Sequence, residues 1–322
     1  MKNIILLLIS TISWSCQSQS ATEELSPGYV RSVVDKIGEA FEEGYVFAEK
    51  GQKVKQQLSK NFDSGEYSGL QSHDELAQRI KEHIFDICED KHVQVNYLGN
   101  KSGASYQEGS RGDDFMNSFK NFGFTKADVL KNNIGYIKLD IFYPIYNNRL
   151  AEQTASEAMQ KMADTKALIF DLRECRGGSP DMLNYLISYL YPPNSNVHLN
   201  TFYYRPTDYT RNTYTHDRIK GKRLADTPVY VLTSGKTFSC GEEFSYDLKH
   251  LERATLIGEI TGGGAHPIEP VKIDDNFEIN LPMGRAINPI TGTNWEGVGV
   301  IPHHEIPADL ALNKVLELIN KE

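Results

Sequence analysis

Pro228-Val229-Tyr230-Val231-Leu232-Thr233-Ser234-Gly235-Lys236-Thr237-Phe238-Ser239-Cys240-Gly241-Glu242 is the stretch on which the fold turns. Its first six residues are a short, almost continuous apolar run. A short turn follows, and from Ser239 the pattern is that of a helix reaching about residue 251. An apolar run of that length reads as a strand buried on both faces. The same reading applies to Ala167-Leu168-Ile169-Phe170-Asp171-Leu172, to Ile134-Gly135-Tyr136-Ile137-Lys138-Leu139 and to Ala254-Thr255-Leu256-Ile257-Gly258. Helical stretches at about 151–163, 180–191 and 239–251 lie between them. Strands alternating with helices predict a layered α/β domain.

Upstream the chain changes character. From about 28 to 98 the pattern is helical. Ser72-His73-Asp74-Glu75 has capping-box spacing. Behind it Leu76, Ile80, Ile84, Ile87 and Cys88 share one helix face. Gly44–Lys60 reads as another helix and Asp63-Ser64-Gly65-Glu66 as a turn. Residues 99–113 are Gly/Ser-rich and polar, and Arg111-Gly112-Asp113 there reads as loop rather than as an adhesion motif.

The residue types for acyl-transfer chemistry are present but scattered. Ser239 opens a helix, where free amides and the helix dipole favour a developing oxyanion. It also fits a plain capping box with Glu242, so nucleophile and N-cap both stand. The amide of Cys240 is placed to serve that oxyanion. Asp171-Leu172-Arg173-Glu174-Cys175-Arg176-Gly177-Gly178 carries a buried strand into a Gly-Gly turn, whose amides offer a second half of the hole, or merely a strand–helix turn. A serine needs a base. His92 follows the amphipathic helix, as a base or as a surface residue at a helix end. Glu296, between Trp295 and Gly297, is a carboxylate able to orient an imidazole, or a turn residue. Arg285 and Arg173 are candidates for a substrate carboxylate and equally for structural ion pairs. His303-His304 read as surface histidines. No cysteine or histidine spacing suits a metal, and no cofactor is expected.

In order, Asp-x-His, Asp-Leu-Arg…Gly-Gly, Thr-x-Ser-x-x-Glu and Glu-Gly-x-Gly-Val-x-Pro resemble the carboxyl-terminal processing peptidase superfamily. The likeness is stronger to its tricorn-core and interphotoreceptor retinoid-binding protein branch. It is carried by Gly44-Tyr45-Val46-Phe47, Asp90-Lys91-His92, Asn121-Phe122-Gly123-Phe124 and the run from Gly284 to Gly297, and it covers roughly 28–312. The resemblance implies a helical N-terminal domain and a crotonase-like (ClpP-like) α/β domain of ββα units, with the active site between them. It implies serine peptidase chemistry with Ser239 as nucleophile, His92 as base and Glu296 orienting it. The oxyanion hole falls to Cys240, Gly177 and Gly178. Thr261-Gly262-Gly263-Gly264-Ala265 lacks the lysine base of the processing proteases. The short span between His92 and residue 134 leaves no room for their PDZ domain. Lys91 stands where tricorn-like members carry a further serine.

The expected division is an export or lipoprotein signal at 1–16, a tether at 17–27, a helical domain at 28–98, a linker at 99–120 and the catalytic domain at 121–322. Lys2 and the apolar run Ile4–Ile9 form the signal, too short to span a bilayer. Cys16 after Ser15 is the candidate lipidation site. An exported bacterial cell-envelope protein follows, periplasmic or membrane-anchored, touching the membrane only through that anchor. The net charge of −9 argues against nucleic acid as a partner. Peptide or unfolded protein is the expected substrate. Two rivals are a non-catalytic carrier of retinoid- or fatty-acid-like ligands and an acyl hydrolase or CoA-type enzyme.

Overall fold

The computed structural model describes residues 25–99 and 115–321. The signal, Cys16, most of the tether and Arg111-Gly112-Asp113 lie outside the described residues.

Three helices open the fold: α1 (Pro27–Gly44), α2 (Ala48–Asp63) and α3 (His73–Cys88). On α1, Val30, Val33, Val34, Ile37 and Phe41 recur at helical spacing and are buried. They meet Leu58 of α2 and Leu76, Ile80 and Ile84 of α3 in one core. Burying such a side chain stabilises by roughly 1.5–3 kcal/mol. Ser72 caps α3 by accepting the Glu75 amide at 3.2 Å.

Gly44–Lys60 is not one helix. The chain turns extended at Tyr45 (φ −60°, ψ 136°). The guanidinium of distant Arg205 donates to the carbonyls of Tyr45 (2.6 Å) and Glu42 (2.8 Å), which ends α1. That cap comes from 160 residues downstream, so local sequence does not announce it.

The helical layer is completed by β1 (Gln94–Tyr97) and by two strands from far along the chain, β9 (Ile268–Lys272) and β10 (Phe277–Pro282). They pair antiparallel in the order β1-β10-β9. Phe277, Ile279 and Leu281 enter the helical core. Residues 268–282 thus pack with the helical unit although the sequence reading placed them within 121–322.

The larger unit is a six-stranded sheet in the order β12-β8-β7-β4-β3-β2. Its strands are β2 (Phe124–Leu130), β3 (Ile134–Leu139), β4 (Ala167–Asp171), β7 (Val229–Thr233), β8 (Thr255–Gly258) and β12 (His304–Glu305). Only β2 is antiparallel. All of β4 and β7 is buried, as a sheet covered on both faces requires. One face packs with α4 (Arg149–Lys161), α5 (Pro180–Ser188) and α6 (Cys240–His250). The other carries α7 (Ala311–Ile319) through Ala311, Val315 and Ile319. A smaller antiparallel sheet joins β11 (Gly284–Ile287), β5 (His198–Tyr204) and β6 (Tyr209–Tyr214).

Candidate active site

Parallel strands β4 and β7 end side by side, and their carboxyl ends feed the two turns that matter, as open α/β sheets favour. The turns are laced together. Thr237 Oγ1 donates to the Leu172 carbonyl at 2.8 Å, the Phe238 amide to Cys175 at 3.0 Å, and Ser234 Oγ to Arg173. This sets the Gly177-Gly178 turn beside Ser239.

Ser239 sits half-buried at the start of α6 with φ 52° and ψ −120°. An N-cap serine normally adopts extended backbone; this one does not, and the Glu242 amide is bonded to the Ser239 carbonyl at 2.8 Å. Strain of this kind at a strand-to-helix turn lifts a side chain out of the surface. Glu242 reaches back to the Ser239 amide (2.9 Å). The same buried carboxylate collects Thr261 Oγ1 (2.6 Å) and the amides of Gly263 (2.6 Å) and Gly264 (2.9 Å). It therefore ties the serine turn to the Thr261–Gly264 loop. Burial pushes it up to about 7 against the pull of those donors.

Gly177 and Gly178 have φ 111° and 122°. A Cβ on Gly177 would stand 2.7 Å from the Ser239 Cβ, so only glycine lets the loop approach. Among the described residues no backbone hydrogen bond consumes the amides of Gly177 and Gly178. Cys240 is the first residue of α6, where an amide has no intrahelical acceptor. Its Sγ donates to the Gly178 carbonyl at 2.9 Å and so fixes one half of the turn against the other. Burial pushes this thiol well up, and that of Cys175 to about 12, so neither is a thiolate.

His92 follows α3 in a tight turn whose amide donates to Asp90 Oδ1 at 3.0 Å. Its ring lies 4.6 Å from that of Phe238, and a Cβ on Gly264 would come within 2.6 Å of its Cε1. His92 and Ser239 line one cavity of about 700 Å³. They are not hydrogen-bonded: among the described residues both His92 nitrogens are buried without a partner, and such contacts in apo sites often tighten only around substrate. Burial drives the imidazole down to about 4, Asp90 opposing and His266 assisting, so it is a neutral acceptor near pH 7.

The acidic side of His92 is more elaborate than the sequence suggests. His92 Nδ1 lies 3.8 Å from Asp90 Oδ1. Asp90 Oδ2 is 2.6 Å from His266 Nδ1 and accepts from the Tyr45 hydroxyl at 3.2 Å. Burial alone would push Asp90 up; the His266 hydrogen bond and the neighbouring imidazoles hold it below the usual carboxylate range. Glu296 Oε2 accepts the Ala265 amide at 2.5 Å and lies 3.6 Å from His266 Nδ1. Burial and the Asp90 charge raise Glu296. Its carboxylate comes within 4.8 Å of a His92 nitrogen without bonding to it.

The remaining candidates lie elsewhere. Arg173 is bound to buried Asp171 at 2.6 Å and to the Ala308 carbonyl. Arg285 lies over the rings of Phe47 and Tyr203. Neither lines the cavity. His303 accepts the Leu256 amide. The sequence gives Asp90, Glu242 and His266 no catalytic role of their own. Asp90 is two residues from His92, and Glu242 shows only as capping-box spacing. His266 carries no local signal at all.

Residues 133–306 match peptidase family S41, and residues 28–122 match the N-terminal domain of peptidase S41 in eukaryotic IRBP. Solved structures share the fold. A lipoprotein from Streptococcus agalactiae superposes with a TM-score of 0.65 at 15% identity over 93% of this chain and 99% of its own. The tricorn protease gives 0.60 at 14%, over 92% of this chain and 36% of its own. The photosystem II D1 C-terminal processing protease gives 0.53 at 13%, over 87% and 94%. With a helical N-terminal unit and an S41 protease-like core, the chain belongs to peptidase family S41.

Proposed function

We propose that this chain is a serine peptidase in which Ser239 is the nucleophile and His92 its general base. The observation that carries the reading is one cavity that joins a strained serine at a helix N-terminus, Gly178 of the Gly-Gly turn with its amide unspent, and a buried neutral imidazole. With Nδ1 on the acidic side, Nε2 is the His92 nitrogen left for Ser239. It takes the hydroxyl proton as Oγ attacks the peptide carbonyl. The amides of Gly177, Gly178 and Cys240 hold the oxyanion. His92 then protonates the leaving amine, and water hydrolyses the acyl-enzyme. Asp90 is the nearer carboxylate and orients His92, while Glu296 supports the cluster beside the same His266 Nδ1 that Asp90 engages.

Peptide or unfolded protein entering the cavity is the proposed substrate. Phe202, Tyr204, Trp295 and Ile268 give it apolar walls. Those walls also favour the second reading, a carrier of apolar ligands. An envelope location through a lipidated Cys16 agrees with the lipoprotein neighbour. Among the described residues no helix is long and apolar enough to cross a membrane.

The test is a diverse peptide library incubated with residues 21–322 and read by mass spectrometry, beside Ser239→Ala and His92→Ala. Cuts by the wild type that vanish in both variants are expected. A folded wild type that makes no cuts, yet binds a fluorescent fatty acid tightly, would move the assignment to the carrier.

A further inference from the structure

We propose that Asp90, His92 and Glu296 form a binding site for a divalent transition-metal ion, best suited to Zn²⁺, and that the bound ion switches the site off. One donor atom from each residue lies within 4.8 Å of the other two. Zinc ligands at ~2.0–2.2 Å from the ion stand about 3.4 Å apart in a tetrahedron. The 3.8 Å between His92 Nδ1 and Asp90 Oδ1 needs only a small contraction.

An independent observation points to a ligand. Both nitrogens of His92 and Oε1 of Glu296 are buried with no hydrogen-bond partner among the described residues. The His92 side chain is only 7% exposed. Buried polar groups left unpaired are costly, and a cation between them would satisfy an imidazole lone pair and a carboxylate oxygen together. One imidazole with two carboxylates suits Zn²⁺ or a neighbouring first-row ion; a hard cation such as Ca²⁺ prefers oxygen donors alone.

The outer contacts of a metal site are already built. His266 Nδ1 and the Tyr45 hydroxyl engage Asp90 Oδ2, and the Ala265 amide engages Glu296 Oε2. Each carboxylate is thereby held through one oxygen, as ligands in metal sites are held; among the described residues Glu296 Oε1 has no partner, and Asp90 Oδ1 accepts the His92 amide (3.0 Å) and keeps a second lone pair for an ion. The shared cavity, lined by His92 and His266, supplies an entry path. Sequence spacing could not disclose the site, because Glu296 is some 200 residues from the other two.

The functional consequence rests on the peptidase reading. An imidazole that binds metal through Nδ1 carries its proton on Nε2. It can then donate to Ser239 but cannot accept the Ser239 proton, so acylation stops. No covalent step is involved, and removal of the ion restores the base.

The experiment is a competition titration of the metal-stripped chain against a chromophoric zinc chelator, run with Zn²⁺ alone. Wild type and Ser239→Ala are expected to bind one ion per chain. His92→Ala and Glu296→Gln are expected to lose about tenfold or more in affinity, and a His303→Ala/His304→Ala double variant to lose none. Absence of stoichiometric binding, or equal binding by His92→Ala and Glu296→Gln, would overturn the site. Peptide cleavage with and without Zn²⁺ and EDTA tests the consequence: the ion should abolish it and EDTA restore it. Undiminished cleavage by fully zinc-loaded enzyme would overturn the switch. A chain that binds zinc as described but cleaves no peptide would leave the metal site standing and remove the peptidase reading.

Discussion

Replacing Ser239 by glycine should make the protein more stable while destroying its activity. The serine is held at φ 52°, ψ −120°, a region that residues with a Cβ avoid and glycine enters freely. Such conformations cost of order 1–3 kcal/mol. The Glu242 amide that a cap would satisfy is already taken by the Ser239 carbonyl at 2.8 Å, which leaves the hydroxyl little to set against that cost. Glycine gives back roughly 0.5–1 kcal/mol through the greater freedom of its unfolded chain. The net expectation is a gain of about 1–2 kcal/mol for Ser239→Gly. Ser239→Ala keeps the Cβ and therefore the strain, so it should stay within about 0.5 kcal/mol of wild type. Urea unfolding at constant slope reads this as a midpoint moved upward for glycine and unmoved for alanine. An ordinary N-cap behaves in the opposite way: alanine costs about 1 kcal/mol and glycine a few tenths. A loss of that size for Ser239→Ala, or no gain for Ser239→Gly, would refute the argument that the turn stores strain to present a nucleophile.

Gly177→Ala places a Cβ 2.7 Å from that of Ser239 at φ 111°. It should displace the loop amides and lower kcat by on the order of 10²–10³, seen in steady-state kinetics with KM little changed. Arg173→Met removes the counter-charge of the fully buried Asp171 carboxylate, leaving it the Tyr136 hydroxyl and the residue-173 amide, and should cost about 3 kcal/mol in urea unfolding, with no separate effect on substrate affinity. Burial pushes Glu243 up to about 7, against Asn200 and Arg211, with Cys240 and Asp247 packed beside it. Its folded value lies above its unfolded one, so its contribution is fully present below about pH 4 and lost as pH rises through about 7. The melting temperature should therefore fall between pH 5 and pH 8, and Glu243→Gln should flatten that fall.

The parallel-sheet strands were legible because burial on both faces leaves an unbroken apolar run, as at Ala167–Leu172 and Val229–Thr233. Helix α3 was legible because its cap and its apolar face are both local. The break at Tyr45 was not, since Arg205 imposes it from another part of the chain. Nor was the return of Ile268–Lys272 and Phe277–Pro282 to the helical unit, because strand pairing over such a distance leaves no mark on either segment alone. In the site, Ser239, His92 and the Gly-Gly turn could be named because each belongs to a motif. The sequence points to Glu296 as the acidic partner of His92, whereas Asp90 stands nearer its ring. His266 escaped notice because its importance lies in contacts with Asp90 and Glu296, which only the folded chain brings to it.

The central claim is that Ser239 acts as a nucleophile under the control of His92. Its most direct test is intact-mass and peptide-mapping analysis after exposure of the folded chain to a serine-directed organophosphonate. The account predicts a single adduct on Ser239, absent from Ser239→Ala and forming far more slowly in His92→Ala. A folded wild type with no adduct at Ser239, or one labelled there equally fast without His92, would contradict it.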